Sequence, residues 1–156
     1  MSEINTIFTR GNYIEAIHNI KCLVINSSEK IIFSTGNNED IIFPRSSIKI
    51  FQAIPFVSSQ AIKKYKLNDK QIALSCSSHI GEKFHLTELF KWIKKLNIPL
   101  KTLKCGIHNP LDPKSSHTLL VSGQKPNQLH NNCAGKHLGM LSASIVNNYN
   151  LEKYLN

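Results

Sequence analysis

The sequence predicts an α+β fold in which a β-rich N-terminal region is followed by a series of helices. Three apolar, β-prone segments at 13–20, 21–26 and 31–34 precede residue 44. Beyond that point, apolar residues recur at the spacing of amphipathic helices. The chain has 156 residues, of which 41% are hydrophobic, and this is enough for one folded domain with a substantial core.

The N-terminal strands are predicted to include one hairpin. Residues 13–20 and 21–26 are rich in β-branched and aromatic side chains, and the polar segment 27–30 is typical of a turn. Residues 31–34 then supply the returning strand. A loop is expected at 35–38, because this segment combines Gly36 with two asparagines.

Four helical segments are predicted after the hairpin. The first begins near Ser46, with Pro55 as a kink or an end, and a shorter one covers 59–65. A third ends near Asn97, and a fourth covers 136–147. The proline-containing segment 105–126 is expected to be irregular, and Asn150 is expected to cap a further short helix. The apolar residues that define the third helix are Phe84, Leu86, Leu89, Phe90, Ile93 and Leu96.

Composition limits the classes of partner. The formal net charge is +9, but lysines outnumber arginines 17 to 2 and lie along the whole chain. Since the sequence has no arginine-rich cluster and no aromatic stacking motif, we expect no nucleic-acid partner. Its apolar runs are too short to span a bilayer, and residues 1–10 do not form a secretory signal. We therefore expect no membrane partner.

The four cysteines indicate the compartment. Cys22, Cys76, Cys105 and Cys133 are scattered along the chain rather than spaced as in a small disulfide-rich scaffold. Reduced thiols are the simpler interpretation, because disulfides are rare in reducing compartments. A cytoplasmic location is therefore predicted.

The most informative motif is Ser46-x-x-Lys49 at the start of a predicted helix. Positions i and i+3 share one helix face, so the hydroxyl and the amine are expected to meet. A neutral lysine can take a proton from serine and activate it as a nucleophile, provided that burial or nearby positive charge lowers the lysine pKa. The same spacing occurs at Ser27 in a predicted turn, and Ser46 also suits a simple N-cap. Spacing alone therefore does not identify a site.

Two further polar clusters precede predicted helices. One covers residues 75–82 and includes Ser78 and His79, and the other covers residues 130–137. Cys133 and Lys136 in the second cluster repeat the i, i+3 spacing, which suits a reactive thiol or a metal site. An alternative function is a non-catalytic zinc-binding or interaction module that uses paired Cys and His ligands. Its four ligands would be Cys105, His108, His130 and Cys133.

Taken in order, these clusters resemble the bacterial L-asparaginase II family of the Rhizobium type, the thermolabile asparaginases. The matching segments are 44–53, 75–85, 105–110 and 131–141, of which the last is the most specific. The resemblance implies a fold similar to serine β-lactamases and glutaminases, with an antiparallel sheet flanked by helices. It also implies hydrolysis of L-asparagine to L-aspartate and ammonia.

The resemblance implies roles for five residues. Ser46 is expected to be the nucleophile, Lys49 its base and Ser78 a second active-site serine that pairs with a later lysine. Cys133 and Lys136 are expected to bind zinc together with a later cysteine. Because both later residues would lie beyond residue 156, we expect residues 1–156 to be the N-terminal part of a single domain that lacks its C-terminal half. The resemblance thus predicts impaired activity for this chain alone and a homodimer for the full-length enzyme.

Overall fold

The structure, a computed structural model, describes residues 4–155. It confirms the α+β class, since two small antiparallel sheets and six helices form within this range. The chain divides into two compact units, Met1–Phe43 and Pro44–Asn156. All the strands belong to the first unit and all the helices to the second.

The first unit consists of two hairpins. Strands β1 (Ile4–Arg10) and β2 (Tyr13–Ile20) pair antiparallel, with Ile4 opposite Ile20. Strands β3 (Cys22–Ile25) and β4 (Ile31–Thr35) form the hairpin that the sequence predicts. Strand β1 was outside the prediction, although its β-branched residues Ile4, Thr6, Ile7 and Thr9 favour a strand.

The described strands contain one buried residue, Thr35. Its hydroxyl accepts a hydrogen bond from the Cys22 amide at 2.9 Å and donates one to the Ile20 carbonyl at 3.2 Å. Thr35 thereby connects the end of β4 to the junction between β2 and β3. Large apolar side chains such as Phe8 and Ile17 are more than half exposed.

The second unit confirms four predicted helical segments and adds two. Helix α1 (Lys49–Val57) continues through Pro55, and a single 3₁₀ turn at Arg45–Ile48 precedes it. The other predicted segments become α2 (Ala61–Lys64), α4 (Lys83–Leu96) and α6 (Ala134–Val146). The two additional helices are α3 (Asp69–Cys76) and α5 (Pro113–Val121). Asn150 caps a 3₁₀ turn at Leu151–Lys153, as expected. None of the helices within 4–155 has the length and apolarity needed to cross a bilayer.

The prediction of an irregular segment at 105–126 was wrong over α5. Asp112 caps this helix by accepting a hydrogen bond from the Ser115 amide at 2.7 Å, and Pro113 occupies its first turn. Proline is favoured there because its missing N–H has no partner within a helix in any case. Pro113, one of the prolines that suggested irregular structure, therefore marks the start of a helix.

The core of the second unit lies where α1, α3, α4 and α6 pack together. Its fully buried large side chains include Phe56, Leu89, Trp92, Leu138 and Leu141. The Trp92 indole donates to the Ser142 hydroxyl at 3.0 Å, so the buried polar atom of this tryptophan is satisfied.

Helices α3 and α6 approach each other closely. A Cβ atom on Gly135 would overlap the main-chain carbonyl of Leu74 at the end of α3. Because α3 ends next to Ser77 and α6 begins next to Cys133, this contact sets the relative positions of two of the predicted functional clusters.

Candidate active site

Lys49 is buried at the start of α1. The residue is only 2% exposed, and its Nζ donates to the Ser77 carbonyl at 2.9 Å and to Ser78 Oγ at 2.6 Å. Among the described ion pairs, none involves Lys49. Burial without a carboxylate partner is the setting in which lysines serve as general bases.

Ser78 joins this lysine to Ser46. The Ser78 hydroxyl donates to Ser46 Oγ at 2.9 Å, and Ser46 lies in the 3₁₀ turn before α1. The sequence predicted that Ser46 and Lys49 meet directly. Instead, the lysine side chain extends to the segment after α3, and the described hydrogen bonds connect the two residues through Ser78. The three predicted catalytic residues are thus brought together in the order Ser46, Ser78, Lys49.

The segment that carries Ser78 is held at both ends. Ser77 has extended backbone (φ −93°, ψ 163°) and ends α3. Farther along, Gly81 has φ +85°, and a Cβ atom there would lie 2.9 Å from Pro110 Cβ. The Ile80 carbonyl also accepts a hydrogen bond from the Asp112 amide at 2.8 Å. These constraints leave the segment little freedom to move Ser78 away from Lys49.

His79 follows Ser78 and is buried. It is 3% exposed, and its ring lies 5.3 Å from the ring of His85. Burial is the main cause that lowers the His79 pKa to about 4, with further contributions from His85 and Lys49. The Asn131 main chain acts in the opposite direction, but neither ring nitrogen makes a hydrogen bond of normal geometry in the described structure. His79 is therefore neutral at pH 7.

A second buried histidine lies in the first turn of α6. His137 is 6% exposed, and its Nδ1 is 2.6 Å from Tyr154 Oη, which also accepts a hydrogen bond from the Lys104 amide at 2.7 Å. Burial lowers the His137 pKa to about 4, and Lys136 and Lys49 contribute in the same direction. Two neutral imidazoles therefore lie within electrostatic range of Lys49.

A line of two hydroxyls leading to a buried amine suits acyl transfer through a serine nucleophile. The comparison with known families agrees with this chemistry, because the family model described as L-asparaginase II matches residues 6–156. The chain belongs to the L-asparaginase II family. No curated protein sequence matches it. Membership supports asparaginase-type amidohydrolase chemistry with L-asparagine as the small-molecule substrate.

The residues expected to bind zinc in an L-asparaginase II lie together at the start of α6. Cys133 is the N-cap residue of this helix, Lys136 is in its first turn, and both are partly exposed. The Cys133 amide donates to Asn131 Oδ1 at 2.8 Å, and Asn131 Nδ2 donates to the Cys105 carbonyl at 2.7 Å. A thiolate is a common zinc ligand and a deprotonated amine can also donate an electron pair, so these residue types are compatible with zinc binding.

The alternative four-ligand site does not form. His108 Nε2 accepts a hydrogen bond from the Asn132 amide at 3.1 Å, and His130 Nδ1 accepts one from the Asn127 amide at 3.0 Å. Burial also raises the pKa of the Cys105 thiol to about 11, which disfavours the thiolate that binds metals. Within residues 4–155, no group of three or more His, Cys, Asp or Glu side chains is placed to hold a metal ion.

A cleft of about 890 Å³ lies beside the candidate site, between α3 and the first turns of α4 and α5. Ser77 and His85 contribute to its wall, whereas Ser46, Lys49 and Ser78 do not. The cleft thus approaches the site from the side of the His85 ring. The predicted clusters and matching segments included His79, His85 and His137, but the sequence predicted neither the burial of His79 and His137 nor a role for any of the three. The closest signal was the pair of histidines on either side of Gly81-Glu82.

Proposed function

We propose that this chain supplies the nucleophile, its base and the connecting hydroxyl of an amidohydrolase that converts L-asparagine to L-aspartate and ammonia. The observation that carries the proposal is the pair of hydrogen bonds that connect Ser46 to Ser78 and Ser78 to Lys49. Membership in the L-asparaginase II family supports the substrate and the reaction.

In the proposed first half-reaction, Ser46 Oγ attacks the side-chain amide carbonyl of asparagine. As the new C–O bond forms, the Ser46 proton moves to Ser78 Oγ and the Ser78 proton moves to the neutral amine of Lys49. The tetrahedral intermediate then collapses, the C–N bond breaks, and the leaving nitrogen takes the proton back from Lys49 as ammonia departs. The product of this half is an aspartyl ester of Ser46.

In the second half-reaction, water attacks the ester carbonyl and gives one proton to Lys49 by the same route. The ester C–O bond breaks, Ser46 recovers its proton, and L-aspartate is released. In the structure, Lys49 donates to Ser78 and Ser78 donates to Ser46. When the amine is neutral, the direction of both hydrogen bonds reverses, so that Ser46 donates to Ser78 and Ser78 donates to Lys49. The heavy atoms need not move.

Zinc is proposed as the cofactor, with Cys133 and Lys136 as two of its ligands. The support is their shared turn of α6 and the absence of a hydrogen bond to Cys133 Sγ or Lys136 Nζ among the described residues. A bound zinc ion would polarise a carbonyl oxygen of the substrate. Zinc content measured by mass spectrometry, in the wild type and in Cys133→Ser, tests this assignment separately from turnover.

We also propose two properties of the whole protein. A cytoplasmic location suits the four free cysteines, and it is tested by fractionating cells and locating the protein with an antibody. The homodimer implied by the family resemblance is tested by light scattering of the full-length enzyme.

The first test is Ser46→Ala, assayed by ammonia release from L-asparagine. We expect turnover to fall by roughly 10⁴-fold or more, since the variant has no nucleophile. Ser47→Ala is the matched control, because among the described residues Ser47 Oγ donates to the Pro44 carbonyl alone and its loss should leave turnover nearly unchanged.

The assay is run on this chain alone and on this chain with the C-terminal half of a family member supplied. Low turnover that rises on complementation would match the expected impairment. A folded protein with no turnover in either case, or an active Ser46→Ala variant, would refute the proposed mechanism.

A further inference from the structure

His79 has the environment of a functional side chain rather than of an ordinary core residue. It is 3% exposed, yet both ring nitrogens lack a hydrogen bond of normal geometry in the described structure. Buried polar groups are nearly always hydrogen-bonded, because leaving one unpaired is costly.

The charges around His79 come from every element that packs against it. Lys49 faces it from α1, His85 from α4 and His108 from the loop before α5, and all three lower its pKa. A carboxylate oxygen of Glu82 lies 4.0 Å from His85 Nδ1. The Asn131 main chain is the one group that favours the charged ring. His79 therefore lies in a surrounding that strongly opposes its protonation.

The position of His79 in the chain connects this environment to catalysis. It is bonded directly to Ser78, and the segment 77–79 presents both the Ser77 carbonyl and the Ser78 hydroxyl to Lys49. The His79 ring packs against His85, which belongs to α4. The buried ring thus fixes the segment to α4 at a point one residue from the atoms that hold the lysine.

We infer that His79 is a positioning residue, whose buried ring fixes the segment 77–79 so that Ser78 remains between Ser46 and Lys49. A protonated ring would repel the Lys49 ammonium and would need water, so the segment would have to open. The inference deepens the proposed function and rests on it for its catalytic meaning. Its structural part, the coupling of His79 to Lys49 and Ser78, stands independently.

The first experiment measures the coupling by NMR titration of the imidazole signals. In Lys49→Met we expect the His79 pKa to rise by about 0.5 or more, because a nearby positive charge has been removed. Lys91→Met is the control, since Lys91 pairs with Glu88 and is not among the charges that act on His79. A His79 pKa that does not change in Lys49→Met would overturn the coupling.

The second measurement follows the Ser77 and Ser78 amide signals in the same titration. In the wild type they should change with the His79 midpoint near pH 4, and in His79→Phe this transition should vanish. A ring that only fills space predicts at most the small change of a covalent neighbour at Ser78, and none at Ser77. Amide signals that stay constant while the ring titrates would therefore overturn the inference, whether or not any variant is catalytically active.

The third measurement is labelling of Ser46 by a fluorophosphonate at pH 7, read by intact mass. The Ser46 Oγ–P bond forms, the P–F bond breaks, fluoride leaves and Lys49 receives the proton. His79→Phe should label within about 3-fold of the wild-type rate, whereas His79→Ala should be at least about 10-fold slower, because small misplacements of reacting groups cost up to 10²-fold.

Equal labelling of His79→Ala and the wild type, with Trp92 fluorescence showing a folded protein, would refute the positioning role. If His79→Ala does not fold, the positioning role is tested by comparing the wild type with His79→Phe in the NMR titration. Failure of Ser46 to label in the wild type would instead refute the proposed nucleophile, so the two failures are distinguishable.

Discussion

Ser78 contributes to the candidate site through its hydroxyl, and its neighbour Ser77 contributes through its backbone. Lys49 Nζ contacts Ser78 Oγ and the Ser77 carbonyl, whereas the Ser77 side chain turns back to the Leu74 carbonyl at 3.3 Å. Only the Ser78 hydroxyl continues to Ser46. Two adjacent serines thus have separable roles, which mutation can distinguish.

Ser78→Ala is expected to reduce turnover by about 10²–10⁴-fold, the usual contribution of a positioned proton-transfer group. The variant leaves the nucleophile in place but removes the hydroxyl between Ser46 and Lys49. Ammonia release from L-asparagine measures the effect. Ser77→Ala retains the carbonyl that binds Lys49, so its turnover should stay within a few-fold of the wild type. Equal losses in the two variants would contradict the relay through Ser78.

At the residue scale, the sequence named Ser46, Lys49 and Ser78 as candidates, but it could not establish how they connect in the structure. The i, i+3 rule describes where side chains start on a helix, not where a long lysine side chain ends. The end of Lys49 is determined by tertiary packing, since its partners lie 28 and 29 residues farther along the chain. The burial of His79 was missed for the same reason.

At the element scale, the contact between α3 and α6 depends on the lack of a side chain at Gly135. Alanine normally stabilises a helix relative to glycine by about 1 kcal/mol. At Gly135, however, the added Cβ would overlap the Leu74 carbonyl, which is main chain and cannot rotate away. The two effects have opposite signs, so the stability of the variant shows which one dominates.

We expect Gly135→Ala to lower the free energy of unfolding by about 1–3 kcal/mol or more, as in other overpacked cores. Urea unfolding followed by fluorescence of Trp92, the one tryptophan of the chain, measures this. Gly139→Ala is the control on the same helix. Its Cβ would lie 3.2 Å from Ser75 Cβ and 3.4 Å from the Phe56 ring, so it would meet side chains at a longer distance instead of overlapping main chain. A stabilised Gly135→Ala would show that α3 and α6 are not in close contact.

Helices with a long apolar stripe were predictable, and helices marked mainly by their caps were not. The α4 pattern extends over 14 residues, whereas α3 has 8 residues and is identified best by the capping box between Asn68 and Gln71. Helix α5 begins with the Asp112 cap and Pro113. Proline usually interrupts a helix, and for this reason the segment was wrongly predicted to be irregular.

At the scale of the whole molecule, the order of strands and helices was predictable, whereas the division into two units at residue 44 was not. Hydropathy alone did not show that the strand residues would remain exposed. Apolar strand residues usually indicate a sheet face that another layer of the protein covers. The helical unit, in contrast, buries large apolar side chains in a core of its own. The burial of its residues can therefore be tested by measuring its free energy of unfolding.

The buried histidines predict how the stability of the helical unit depends on pH. His79 and His137 have folded-state pKa values lowered from 6.5 to about 4, so the unfolded chain binds more protons than the folded chain between these values. Stability is therefore complete above about pH 6.5 and is lost as the pH falls toward 4. At pH 5 the expected loss is about 1–2 kcal/mol for each histidine.

Urea unfolding of the wild type at pH 7, 6 and 5, followed by Trp92 fluorescence, should show this decrease. His79→Phe and His137→Phe should each give a shallower dependence on pH, because each removes one group that the unfolded state protonates preferentially. The double variant should be shallower still, since the two contributions come from separate ionisations. A wild-type free energy of unfolding that stays constant from pH 7 to pH 5 would mean that these histidines are not buried in neutral form, and the environment inferred for Lys49 would then be wrong as well.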